Sequence, residues 1–145
     1  RGDRGYGWMV FAMVRACDAR RFDIGGNAVI LLVGAVGSGK RTFARGRLGV
    51  LADSVDDAVL GQGSAVARAQ ELVRDPAIDL TRLADALAGR SVVMVDQVGC
   101  GVVPIDPDER AWRERAGRLS CELALRADTV VRLVCGCPQV IKGEL

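Results

Sequence analysis

Lysine is scarce in this chain: among its 20 basic residues only Lys40 and Lys142 are lysines. Lys40 closes the stretch Gly34-Ala-Val-Gly37-Ser38-Gly39-Lys40, which has the spacing of a phosphate-binding P-loop. The glycines allow successive backbone N–H groups to point into one concavity. The helix expected next adds the positive end of its dipole, and Lys40 adds a full charge against the phosphates. That chemistry is the holding of a nucleoside triphosphate, GTP or ATP. One position departs from the motif. A hydroxyl residue normally follows the lysine and binds Mg²⁺, whereas here Arg41 follows and Thr42 comes next. Thr42 supplies the hydroxyl only if the turn slips by one residue. A second candidate is Asp96, at the end of the apolar run Ser91–Val95. A carboxylate at the end of a buried strand is the Walker B arrangement and lies at the same sheet edge as the loop. Lys40 and Asp96 are thus the candidate catalytic residues. Thr42 and Asp96 are the candidate metal ligands, and Gly34, Gly37, Ser38, Gly39, Lys40, Arg41 and Thr42 the candidate nucleotide contacts.

These residues need a strand, a helix and a second strand to position them. The run Ala28–Val33 is continuous and apolar, as for a strand buried on both faces. Residues 41–47 are expected as the first helix, with a second strand at 48–52. Ser64 is expected to N-cap a helix running to about Arg74, before Pro76. Asp79 caps a further helix, whose Leu80, Leu83, Ala84 and Leu87 share one face and which Gly89 closes as a C′ residue. After Asp96, the stretch Gln97–Ile105 is Gly-rich and apolar. Asp106, Pro107 and Glu109 form a dense helix start of capping-box type. The helix runs to about Arg126 with Trp112, Ala116, Leu119 and Leu123 inward. Residues 129–134 are a last strand and 140–145 a short tail. Cys135 and Cys137 are expected on one face of that strand end, as small core residues; a zinc site needs about four ligands. Strands alternate with helices, which predicts an α/β fold with a mainly parallel sheet. One domain over 28–145 follows an N-terminal extension over 1–27, in which Trp8–Val14 is a short strand or helix start.

Composition narrows the function. The chain has 145 residues, half of them hydrophobic and 26% charged, as a globular domain does. A net charge of +2 argues for neither nucleic acid nor membrane surface as partner. No apolar run reaches the length of a spanning helix, and Trp8–Val14 lacks the flanks of a signal peptide. Five Cys without paired spacing favour reduced, cytoplasmic thiols. There is no His, which removes the commonest general base and the commonest metal ligand.

The last third carries a more specific signature. Val95-Asp96-Gln97-Val98-Gly99-Cys100-Gly101-Val102-Val103-Pro104 precedes Arg110-x-x-Arg113-Glu114-x-x-Gly117-Arg118-Leu119. Then follow Ala127-Asp128-Thr129-Val130, Gly136-Cys137-Pro138 and Ile141-Lys142-Gly143. Together with Gly34 and Ser38-Gly39-Lys40, this order resembles the adenosylcobinamide kinase/adenosylcobinamide-phosphate guanylyltransferase family of cobalamin biosynthesis. The likeness covers about 28–50 and 91–143. It implies a RecA-like P-loop NTPase fold with helices on both faces, and a homo-oligomer, typically a trimer. It implies phosphorylation of the cobinamide aminopropanol hydroxyl, then GMP transfer through a guanylyl-histidine. Gly34, Ser38, Gly39 and Lys40 would hold phosphates, and Gly99, Gly101 and Pro104 would shape the loop beside them. Arg110, Arg113 and Arg118 would serve packing, subunit contact or phosphate contact.

The departures are chemical. With no His, the guanylyl acceptor of the family is missing, and the segment that carries it in the family is absent here. Arg41 replaces the magnesium-site Ser, Gln97 the Glu and Asp96 the Asn of the family's Asn-Glu-Val-Gly. Arg45 stands where an acidic residue is common. Three readings follow: an enzyme keeping the kinase half, a nucleotide- or cobinamide-binding partner without turnover, and a structural subunit with a vestigial loop.

Overall fold

The computed structural model describes residues 28–145; the expected extension at 1–27 lies outside the described residues. The strands are β1 (Ile30–Gly34), β2 (Val55–Asp57), β3 (Ala65–Ala67), β4 (Val92–Asp96), β5 (Thr129–Val134) and β6 (Cys137–Lys142). The helices are α1 (Lys40–Gly46), α2 (Leu80–Ala88) and α3 (Pro107–Arg126), with 3₁₀ turns at Ala52–Ser54 and Ala69–Val73. The six strands form one sheet in the order β2-β3-β4-β1-β5-β6. All neighbours are parallel except the β5–β6 hairpin. This is the expected α/β P-loop architecture.

The central strands are buried on both faces, which is why β1 and β4 read as unbroken apolar runs. Successive side chains alternate between two cores. Leu31, Val66, Val93 and Val95 meet Leu83 and Leu87 of α2 and Trp112, Ala116, Leu119 and Leu123 of α3. Ile30, Leu32, Val92 and Met94 meet Phe43 and Ala44 of α1 on the other face, with Leu48 and Val50 beyond it. Phe43, Leu31, Leu32 and Leu119 are fully buried, each contributing roughly 1.5–3 kcal/mol. Helix α3 begins and ends where its sequence directs. Asp106 Oδ1 accepts from the Asp108 N–H at 3.0 Å, and Pro107 occupies the first turn. Asp79 likewise caps α2, accepting from the Arg82 N–H at 3.0 Å.

Several expectations need correction. Residues 48–52 are not a strand; the Val50 N–H folds back onto the Ala44 carbonyl, and the second strand lies further on, at 55–57. The helix expected from Ser64 is instead β3 followed by a 3₁₀ turn. Its Ala-Val-Ala has helical propensity, but β3 is inserted between β2 and β4 and fully buried there, and ladder pairing overrides propensity. The tail is β6, an edge strand. Cys135 and Gly136 form the two-residue turn before it, with φ of 51° and 80°, the left-handed pair that a tight hairpin requires. One thiol therefore sits in the turn and the other directly after it, and both are exposed, not packed in the core. Gly89 ends α2 at φ −78°, without the left-handed geometry expected of a C′ glycine. The Glu109 carboxylate pairs with Arg74 and Arg113 instead of turning back toward the cap.

Candidate functional site

The loop between β1 and α1 is built on three close approaches. A β-carbon on Gly34 would sit 2.5 Å from Ser38 Oγ and 2.6 Å from the Leu133 carbonyl oxygen. Gly39 has φ 94°, and a β-carbon there would come 3.1 Å from Gly136 Cα. The Gly136 N–H bonds the Ser38 carbonyl at 2.9 Å, so the β5–β6 turn supports the loop from below. Gly37 has φ 75° and open space where a side chain would project. Gly39 is the N-cap residue of α1, and no side chain caps that end. The first-turn N–H groups of α1 thus remain available to an anion.

Lys40 is the hub. It is 8% exposed, and Nζ donates to the Gly34 carbonyl at 2.8 Å, the Ala35 carbonyl at 2.7 Å and Ser38 Oγ at 3.3 Å. It also lies 2.7 Å from Asp96 Oδ1. The sheet makes this meeting possible, because β1 and β4 are neighbours and Gly34 is in register with Asp96. The two candidate catalytic residues are therefore an ion pair at the C-terminal edge of the sheet.

Asp96 has a second partner that no motif announced. Gln70 is 2% exposed; its Nε2 donates to Asp96 Oδ2 at 2.9 Å and its Oε1 accepts from the Asp96 N–H at 3.0 Å. Trp112 Nε1 donates to the Gln70 carbonyl at 3.0 Å. Trp112 is thus a core anchor whose polar atom fixes the Gln70 backbone. The chain Trp112–Gln70–Asp96–Lys40 carries the rigidity of α3 to the loop. Gln70→Ala should cost about 1–3 kcal/mol, since it leaves a buried carboxylate oxygen and a buried N–H unpaired. Urea unfolding checks this, and unchanged stability would mean that the amide clamp is slack.

Arg41 is engaged by a neighbouring strand. Its Nη2 lies 2.7 Å from Asp57 Oδ1, at the end of β2. Arg68, just past β3, holds the same carboxylate in two-pronged fashion, Nε to Oδ1 at 2.7 Å and Nη2 to Oδ2 at 3.0 Å. The hydrogen bond from Arg68, then the contribution of Arg41, holds the Asp57 carboxyl below its ordinary value of 3.8. A depressed carboxyl is charged throughout the neutral range, so these contacts persist there and weaken only in acid. Thr42 is half-buried in the first turn of α1. As the side chains stand, the set does not fit a P-loop magnesium ion. Both Asp96 oxygens are taken by protein donors, and the residue after Lys40 is a cation. Among the described residues no group of three His, Cys, Asp or Glu is assembled for a metal.

The remaining signature residues fall in the segments that follow Asp96. Gly99 and Gly101 have φ of 97° and 123°, so the loop after Asp96 depends on glycine. Arg110 donates to the Pro104 and Ile105 carbonyls, and Arg113 to the Val102 carbonyl at 3.0 Å. Both brace that loop, while Arg118 pairs with Glu114 on an exposed face. Lys142 Nζ donates to the Ala124, Leu125 and Ala127 carbonyls, capping the C-terminal end of α3. The model of the cobinamide kinase / cobinamide phosphate guanyltransferase family matches residues 50–141. The chain belongs to this family. No curated protein matches it. The matched span takes in Asp57, Arg68, Gln70 and Asp96. The Gly34–Thr42 loop precedes it and stands on its own residue pattern. No helix among the described residues is long and apolar enough to cross a membrane.

Proposed function

We propose that this family member binds a nucleoside triphosphate, GTP or ATP, in the Gly34–Thr42 loop and lacks the guanylyl-transfer half of the family's activity. The observation that carries the first part is the buried Lys40 ammonium at the loop, set 2.7 Å from Asp96. A charge so placed has little structural purpose, since a buried ion pair is rarely worth more than the apolar contacts it displaces. It suits an incoming polyphosphate, which would draw the Lys40 donors from the loop carbonyls. Gly99 and Gly101 would give the loop beyond Asp96 the freedom to approach the nucleotide. The absence of His carries the second part.

Phosphoryl transfer needs chiefly positioning and neutralised charge. Lys40 would neutralise the oxygens of the transferring phosphoryl group, and Asp96, clamped by Gln70, would keep Lys40 aligned. The acceptor would be the alcohol of cobinamide. A second reading, a nucleotide-binding partner without turnover, is favoured by the same pair. Each Asp96 oxygen already accepts from a protein donor, which makes the carboxylate a weaker metal ligand and a weaker base.

Calorimetric titration of GTP and ATP tests the binding. Saturable binding of either is the expected result, and no heat from either would refute it. Transfer of γ-labelled phosphate to cobinamide then separates the kinase from the partner.

A further inference from the structure

We propose that Arg41 and Arg68, gathered by Asp57, form a guanidinium clamp that receives the polyphosphate of the nucleotide in place of a divalent cation. This rests on the nucleotide-binding reading and assigns the counter-charge of that site.

The argument starts from position. Arg41 follows Lys40 in the first turn of α1. Asp57 ends β2 and Arg68 follows β3, and both strands run parallel to β1 and β4. All these side chains therefore leave the sheet at its C-terminal edge, where Gly34 and Asp96 lie. Charge links them as well: Arg68 feels the field of Asp96 as well as its contact with Asp57. Lys40, Asp96, Arg68, Asp57 and Arg41 thus form a row of alternating sign. Its three cations outnumber its two carboxylates, so one positive charge is left over.

Three further observations suit phosphate. The Arg41, Arg68 and Asp57 side chains are 48%, 49% and 42% exposed, so either arginine can leave Asp57 without stranding a buried charge. A guanidinium is permanently charged and presents a fork that matches phosphate oxygens. Arg68 also has φ 51°, a left-handed backbone that a β-carbon disfavours. The Arg68–Asp57 pair is exposed, and exposed ion pairs add little to stability. The strained residue is the one that posts the second guanidinium beside the first.

Glu71 acts on Arg68 at longer range and is itself paired with Arg74. It leaves the Arg68–Asp57 fork intact.

GTP titrations in EDTA and in Mg²⁺ test the clamp in the full chain. The wild type should bind GTP about equally in both buffers. Arg41→Ser, which installs the hydroxyl of the standard motif, should weaken binding in EDTA by about tenfold, the loss of one charge-assisted contact. It should recover part of that loss in Mg²⁺. Arg68→Asn, chosen because Asn tolerates the left-handed backbone, should weaken binding by a similar factor in both buffers. A purely structural role for Arg41 would move unfolding and leave the EDTA-to-Mg²⁺ ratio unchanged, and one for Arg68 would move unfolding and leave GTP affinity in EDTA unchanged. Wild-type binding that requires Mg²⁺, or variants that bind GTP in EDTA as the wild type does, would overturn the clamp while leaving the nucleotide site intact. Failure of the wild type to bind GTP or ATP in either buffer would sink the nucleotide reading, and the clamp with it.

Discussion

Lys40→Met is expected to abolish nucleotide binding and, separately, to destabilise the fold. The stability effect comes from what is left behind. The Lys40 and Asp96 side chains are 8% and 12% exposed and 2.7 Å apart. Removing one partner of such a pair leaves a poorly hydrated charge and costs about 3–5 kcal/mol. The Gln70 amide still donates to Oδ2, which places the cost toward the lower end. The binding effect has a different cause. A phosphate loses the buried cation of the loop, and a loss of at least about 100-fold in affinity is expected from charge-assisted contacts of that kind. The double variant Lys40→Met/Asp96→Asn separates the two. An amide in place of the Asp96 carboxylate would carry no charge yet still accept from Gln70, so stability should return to within about 1 kcal/mol of wild type. Binding should stay lost. Urea unfolding reads the first quantity and calorimetry the second. If the single variant unfolds at the wild-type urea concentration, the ion pair contributes nothing. If the double variant binds GTP, Lys40 is not the phosphate ligand.

GTP labelled in its α-phosphate should leave no label on the protein. The covalent route of guanylyl transfer joins GMP to a side-chain nucleophile and releases pyrophosphate, and such a nucleophile is activated by a base or a lowered pKa. The family's imidazole is not in this sequence. Among the described residues, the remaining nucleophiles include the exposed thiols of Cys100, Cys121, Cys135 and Cys137 and the amines of Lys40 and Lys142, and both amines are engaged by backbone carbonyls. With no imidazole in the chain, none of the thiols has the usual base. The contrast with an adduct-forming enzyme is all or none. Intact-protein mass spectrometry and acid- and base-quenched filters would both show it. A mass increment of one GMP would falsify this prediction and reopen the full family reaction.

The two predictions draw on different kinds of legibility. The missing nucleophile is a matter of composition. The loop is a matter of contiguous residues: apolar strand, glycines, lysine and helix follow one another, and each local preference agrees with the next. The start of α3 was equally plain, because Asp106 and Pro107 satisfy its first turn by themselves. Asp96 was legible because a buried strand ends on it. The expectation failed where pairing outweighed local preference. Ala65–Ala67 is a strand only because β2 and β4 flank it. The hairpin to β6 turned on two left-handed residues, one of them a cysteine, which no turn rule favours. Gln70 could not be found from pattern at all: it meets Asp96 from 26 residues away and Trp112 from 42.

The sequence by itself therefore determined the chemistry on offer: a glycine loop with one lysine, a strand-end carboxylate, an arginine where a hydroxyl belongs, and no histidine. Those are properties of residue type and near spacing, set before the chain folds. Only the tertiary structure decided the company these groups keep. It placed Asp96 on Lys40 through strand register, held Asp96 with Gln70, and drew Arg41 to Asp57 and Arg68. Each of these contacts joins segments far apart in the chain, so each exists only once a parallel sheet brings its strand ends to one edge.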